Sequence, residues 1–219
     1  MTDETGDNSR EASPRKPRTR GPSPEKTAQT RSCLLNAALD EFVENGFAGA
    51  QMSRITERAG IAKGTAYRYF PTKAALFEGV VAEFMAPLIS GIGPPEPRAD
   101  ESVGDFLRRS LIPVMTTIET SRRADVARLV LAEGRNFPFI VQAYRREAYD
   151  RTIDFVRAAA RIAMERGELT DDRLLRHPQL IFAPLWLAMI ETGILVPDAP
   201  VSGAELLAEQ IDLIFPPRR

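Results

Sequence analysis

Within seven consecutive positions the chain places two cations, a hydroxyl and two phenols: Lys63, Thr65, Tyr67, Arg68 and Tyr69. Ammonium, guanidinium and hydroxyl groups donate to phosphate oxygens and to base edges, and phenols add hydrogen bonds to a phosphodiester backbone. Gly64 leaves one position of the stretch without a side chain, while Arg54 upstream and Lys73 downstream extend the same chemistry. Presented on one short helix, these groups suit the major groove of DNA.

Such a helix has to be held from behind. Ala66 and Phe70 are spaced to face inward from it, and Ile61 plugs the turn before it. In the preceding helix Met52, Ile55 and Ala59 recur at i, i+3 and i+7 and share one face. Gly60 ends that helix, because a C-cap in the left-handed region suits glycine. Further upstream, Leu34, Leu35, Ala38 and Phe42 form the stripe of a helix that begins near Ser23 or Thr27 and ends at Asn45-Gly46, with Phe47 packing beneath the motif. A fourth helix follows Pro71 and runs toward a kink or stop at Pro87. Lys73 lies in its first turn, an unfavourable end for a cation unless an anion sits there.

The string AGIAKGTAYRYFPTKAAL resembles the recognition helix and following linker of TetR-family transcriptional regulators, and LLNAALDEFVENGF resembles the family's first helix. The resemblance covers roughly Thr27 to Val81. It implies an operator in double-stranded DNA as partner, with Lys73 on a backbone phosphate. It also implies a homodimer formed by the last two long helices and a small effector bound among the central ones. The chain departs from the family pattern at Gln51 and Ala62, where capping hydroxyls are usual, and at Ala66, where a larger Leu is usual. Gly64 adds a helix-propensity cost of about 1 kcal/mol.

Charge is distributed to match. The net charge is −1, yet residues 1–73 carry 12 Lys+Arg against 9 Asp+Glu, and residues 74–219 carry 17 against 21. A basic footprint confined to one end fits a separate DNA-reading unit. A solvated basic tail without a partner would explain Arg15 to Arg20 but not the helix. No apolar run approaches a membrane span, and the polar N-terminus is no signal sequence, so a cytoplasmic location is expected. Cys33, beside Leu34 and Leu35, reads as a small buried side chain.

From Glu101 onward every long segment has helical period, which makes the expected fold all-α. Helices are expected over Ser102–Glu119 with a bend at Pro113, Arg122–Glu133, Phe139–Arg166, Pro178–Thr192, and from Ser202 to Phe215, where Ser202 and Glu205 make a capping box. The domains are then 1–22, a disordered basic arm; 23–90, a helix-turn-helix DNA-binding domain; and 91–219, a helical effector-binding and dimerisation domain. The arm reads equally as solvated tail or as a DNA-tracking segment. Phe106, Met115, Leu129, Phe137, Tyr144 and Trp186 are the effector candidates, although aromatics at helical spacing are mostly core. The Pro178–Thr192 segment is apolar on more than one side and must be buried twice. Phe182, Trp186, Met189, Leu207, Ile211 and Ile214 are therefore the interface candidates.

Enzyme chemistry finds little support. His177 is the single histidine and precedes Pro178 near a helix start; one His and one Cys cannot build a typical zinc site. Asp171-Asp172 reads as helix capping, and GIGPP lacks the GK[ST] of a phosphate loop. No metal or cofactor is expected. The leading reading is a repressor that an effector releases from a palindromic operator. The alternatives are a DNA-architectural protein without sequence choice and an all-α enzyme with a vestigial head.

Overall fold

The computed structural model describes residues 23–216, so the expected arm and Pro217 lie outside the described residues. Helices α1 (Pro24–Gly49), α2 (Met52–Ala59), α3 (Lys63–Tyr69) and α4 (Lys73–Ser90) are followed by α5 (Val103–Glu119) and α6 (Arg123–Glu133). Next come α7 (Pro138–Tyr144), a π turn (Arg145–Tyr149) and α8 (Asp150–Glu165). The chain closes with α9 (Arg173–Arg176), a 3-10 turn (Pro178–Phe182), α10 (Ala183–Ile190), a second π turn (Glu191–Leu195) and α11 (Gly203–Ile214). The architecture is all-α, and the described residues contain no strand.

Local sequence sets most of the boundaries. Ser23, Ser102 and Ser202 each accept a backbone N–H from three residues on and start α1, α5 and α11. Thr72 does the same for α4 by accepting from the Ala75 N–H at 3.0 Å, a cap the sequence reading passed over. At the end of α2, Gly60 has φ +65°. Its N–H reaches the Glu57 carbonyl while the Ile61 N–H reaches the Thr56 carbonyl, which satisfies the helix's orphan acceptors in a Schellman arrangement. α1 breaks at Gly46, as Asn45-Gly46 suggested, and adds one more turn to Gly49.

The helix expected over Phe139–Arg166 is continuous in direction but contains the π turn. There the Asp150 N–H bonds the Arg145 carbonyl, which inserts one residue into the ladder. Pro87 does not stop α4; the helix runs through it. Cys33 is exposed, against expectation, because it falls on the outer side of α1 one position before the buried Leu34-Leu35 pair.

Two hydrophobic clusters fill the molecule. The first joins α1–α4 to one side of α6 and α7, including Val126, Leu129, Ile140 and Tyr144. The second lies among α5, α8, α10 and α11. The core thus does not divide at residue 90: α6 and α7 share the head's interior. Ile92 and Trp186, both half-buried, pack against both clusters.

Candidate functional site

The exposed side of α3 is built by burial of the opposite side. Ala66 is fully buried and Phe70 nearly so, which turns Lys63, Gly64, Tyr67 and Arg68 outward. Thr65 and Tyr69 sit at the margin, half-buried, and Tyr69 packs against the first cluster. Arg68 lies over the Tyr69 ring, 5.9 Å from its centroid. Ala62 starts α3 without a side-chain cap, in keeping with the missing hydroxyl noted above.

Partners distinguish the cations of the head. Arg31 faces Glu83 at 2.5 Å, and Arg58 faces Glu44 at 2.6 Å and Asp40 at 3.8 Å. The Arg58 guanidinium beside Glu44 holds that carboxyl below its usual range. Arg54 lies 3.5 Å from Glu41 and donates to Asn45 Oδ1. Lys63 and Arg68, by contrast, form no ion pair among the described residues. They are two uncompensated positive charges on one face, available to an anion.

Lys73 differs from the expectation of a phosphate contact. Its ammonium donates to the carbonyls of Ala48 at 3.1 Å and Ala50 at 2.9 Å and sits 4.7 Å from the centre of the Phe47 ring. It fixes the short segment between α1 and α2, and this engagement offsets the cost of a cation in a helix's first turn.

Glu41 was not singled out by sequence reasoning. It is fully buried in α1, and its Oε1 accepts the N–H of Gln51, the residue that opens α2 without a side-chain cap. Oε2 has no hydrogen-bond partner in the described structure. The signal was present: Glu41 falls in register with Leu34 and Ala38, an acid set in an apolar stripe.

The head is joined directly to α6 and α7. Phe47 meets Phe137 and Phe139 with ring centroids 4.8 and 5.0 Å apart, and its N–H donates to Glu133 Oε1 at 3.1 Å. Arg122 reaches Asp40 at 2.5 Å, and Arg123 Nε donates to the Phe84 carbonyl at 2.8 Å. Phe137 is therefore a contact with the head, and Leu129 lies in the first cluster.

A small cavity of about 50 Å³ lies farther along, between α4, α5, α7–α8 and α10. Met115, Tyr144 and Trp186 line it as expected, together with Tyr149, Phe182 and Leu185. Tyr144 and Trp186 meet edge to face at 6.1 Å. Burial pushes the Tyr144 phenol up to about 12, so it stays protonated. Phe106 faces an outer cleft instead.

Of the six interface candidates, three are buried within the chain and Phe182, Trp186 and Ile214 are half-buried. Leu207 and Ile211 are fully buried and Met189 nearly so, all in the chain's own second cluster, against which Ile214 also packs. Phe182 and Trp186 turn to the cavity. The exposed apolar residues of this region include Leu180, Leu187, Leu195, Val196 and Leu213, the last at 79% exposure. Helical period identified the apolar faces of α10 and α11 but not which of two faces would be covered by the chain itself.

Comparisons agree with this arrangement. Residues 34–80 match the family model described as bacterial regulatory proteins, tetR family. The HTH-type transcriptional regulator UidR of Escherichia coli is 29% identical over 143 residues, 65% of this chain and 70% of its own. An HTH-type transcriptional repressor of Streptomyces coelicolor is 29% identical over 171 residues, 77% of this chain and 80% of its own. The fold is also that of FadR from Bacillus subtilis, solved in complex with stearoyl-CoA, with a TM-score of 0.64 and 17% identity over 86% of this chain and 99% of that one.

Proposed function

We propose that this chain, whose residues 34–80 match the tetR family of bacterial regulatory proteins, is a homodimeric repressor whose α3 reads a two-fold operator and whose central cavity receives a releasing effector. The observation that carries the DNA reading is the pair of unpaired cations, Lys63 and Arg68, on the exposed side of a helix whose other side is locked into the core. Lys63, Thr65 and Arg68 are assigned to base edges and adjacent phosphates, and Tyr67 and Tyr69 to the backbone that sets register. A single seven-residue helix covers little DNA, so two copies spaced one helical turn, about 34–36 Å, are required for useful affinity.

We assign the dimer face to the exposed stripe Leu180, Ala183 and Leu187 together with the exposed Leu213 of α11, the helix that packs against α10. Leu180, Ala183 and Leu187 are exposed at i, i+3 and i+7, a spacing that makes an apolar stripe suited to self-association about a two-fold axis. An operator as partner supports a cytoplasmic location. Coupling runs through α7, which carries Tyr144 in the cavity and Phe139 on the head. A ligand that favours one arrangement of α7 by ~1–3 kcal/mol is sufficient to shift operator affinity 5- to 150-fold.

The test is selection of bound duplexes from a random pool. A palindrome with half-sites about one turn apart is the expected outcome. An architectural protein would instead return no consensus and a specificity ratio near unity, which would end the repressor reading.

A further inference from the structure

Ile92 borders three separate spaces at once. It lines the small cavity beside Trp186, and it also lines two larger, more open clefts of about 400 and 520 Å³ beside the α4–α5 connection. Thr152 is shared between the cavity and one cleft, and Val114 between the cavity and the other. A single side chain on an irregular segment therefore stands where the three would merge.

The segment is suited to moving. Gly91 and Gly93 flank Ile92, and a Cβ at Gly93 would meet nothing within 4 Å. No hydrogen bond holds residues 92–96 to the rest of the described chain. Glycines on both sides give the backbone the freedom to swing the isoleucine outward. With Ile92 in place, the cavity is smaller than the roughly 150 Å³ that holds a benzene ring. Merged with its neighbours, it enters the range of about 300–1,000 Å³ typical of small-molecule sites.

The lining limits what can enter. It consists of aliphatic and aromatic side chains with no Lys, Arg, His, Asp or Glu. Its hydroxyls are those of Tyr144, Tyr149 and Thr152, and the Thr152 proton is already given to the Ala148 carbonyl at 2.8 Å. A charged group moved here would lose hydration with no counter-charge to replace it. The cations lie in the adjoining clefts and not in the cavity: Arg109, held by Glu101 at 2.8 and 2.9 Å, and Arg151, which forms no ion pair among the described residues.

We propose that Ile92 is a removable plug, and that its withdrawal opens a site for a neutral, aromatic ligand of about two fused rings rather than for an organic anion. The proposal rests on the effector reading above only where it concerns operator release; ligand entry stands by itself.

Titration calorimetry with 2-naphthol and 2-naphthoate, paired with stopped-flow association, tests it. Wild-type protein is expected to bind 2-naphthol at least about tenfold more tightly than the carboxylate. Ile92→Ala is expected to raise the association rate of 2-naphthol several-fold. Ala148→Leu, which fills the cavity, is expected to abolish binding with the fold retained by circular dichroism. If Ala148→Leu does not fold, the rate comparison on Ile92→Ala decides. Equal affinity for the two probes overturns the ligand class, an unchanged association rate overturns the plug, and no binding of either probe to wild type or Ile92→Ala overturns the site. Binding of 2-naphthol that leaves operator affinity untouched would instead count against the repressor reading alone.

Discussion

The main-chain N–H of Phe47 donates to the carboxylate of Glu133 across 86 positions of sequence. The same carboxylate oxygen lies 2.5 Å from where a Cβ would stand on Gly46, whose φ is +64°. One acid thus caps the broken end of α1 and requires a glycine beside it.

Removing that acid should loosen the head from its support. Glu133→Ala is expected to lower unfolding free energy by about 1–3 kcal/mol, because it leaves a part-buried N–H without its acceptor. Gly46→Ala should cost about 1–2 kcal/mol in left-handed strain alone, and more from the approach to Glu133. Urea midpoints at constant m-value measure both. A midpoint within error of wild type for Gly46→Ala would contradict the geometry.

The cations of the head should separate by salt dependence. Lys63→Ala and Arg68→Ala are each expected to reduce the slope of log K against log salt by about 0.9. Lys73→Ala is expected to leave that slope unchanged and to lower the melting temperature instead, since two of its three donors are committed to Ala48 and Ala50. A reduced slope for Lys73→Ala would mean the ammonium leaves those carbonyls when DNA is bound.

For the dimer, the exposed and buried leucines make opposite predictions. Leu187→Glu should yield monomers by light scattering, because it sets a charge in the middle of the apolar stripe. Leu207→Ala should retain the dimer mass and lose about 2–5 kcal/mol of stability, as a fully buried leucine truncated in a core does. Should Leu187→Glu remain dimeric, the stripe is not the interface.

Acid should weaken one specific link. The Arg109 guanidinium holds the Glu101 carboxyl down to about 2 from its ordinary 4.5, with the Arg98 N–H assisting. A carboxyl depressed in the folded state contributes stability above its unfolded value, and that contribution is lost as pH falls from about 4.5 toward 2. Wild type is therefore expected to melt above Glu101→Gln at neutral pH, with the gap closing across that window. A gap independent of pH would rule out ionisation as its source.

What was legible in the sequence was what local spacing decides. Ser23, Ser102, Ser202 and Gly60 mark helix ends because a cap acts within four residues of itself. The face of α3 was legible because Ala66 and Phe70 lie at helical spacing and point one way. Long-range choices were not: Phe137 and Tyr144 sit seven residues apart on one segment, yet the first packs on the head and the second lines the cavity. Periodicity tells which side of a helix is apolar, not which neighbour covers it. Leu207 and Ile211 illustrate this, since α5 and α10 of the same chain cover the face that the sequence offered to a partner. Glu41 was missed because its role, holding the Gln51 N–H, depends on how α1 crosses α2.

The ring cluster of Phe42, Phe47, Phe77, Phe137 and Phe139 bears on how such proteins diversify. Three of its rings come from the head and two from the segment that supports it, so neither half carries a complete interior. A hybrid made by cutting at residue 90 and attaching a foreign sensor would inherit an open aromatic socket. To work as an interchangeable cassette, this head must travel with residues 122–139, and new effector specificities are more readily acquired on the far side of α7.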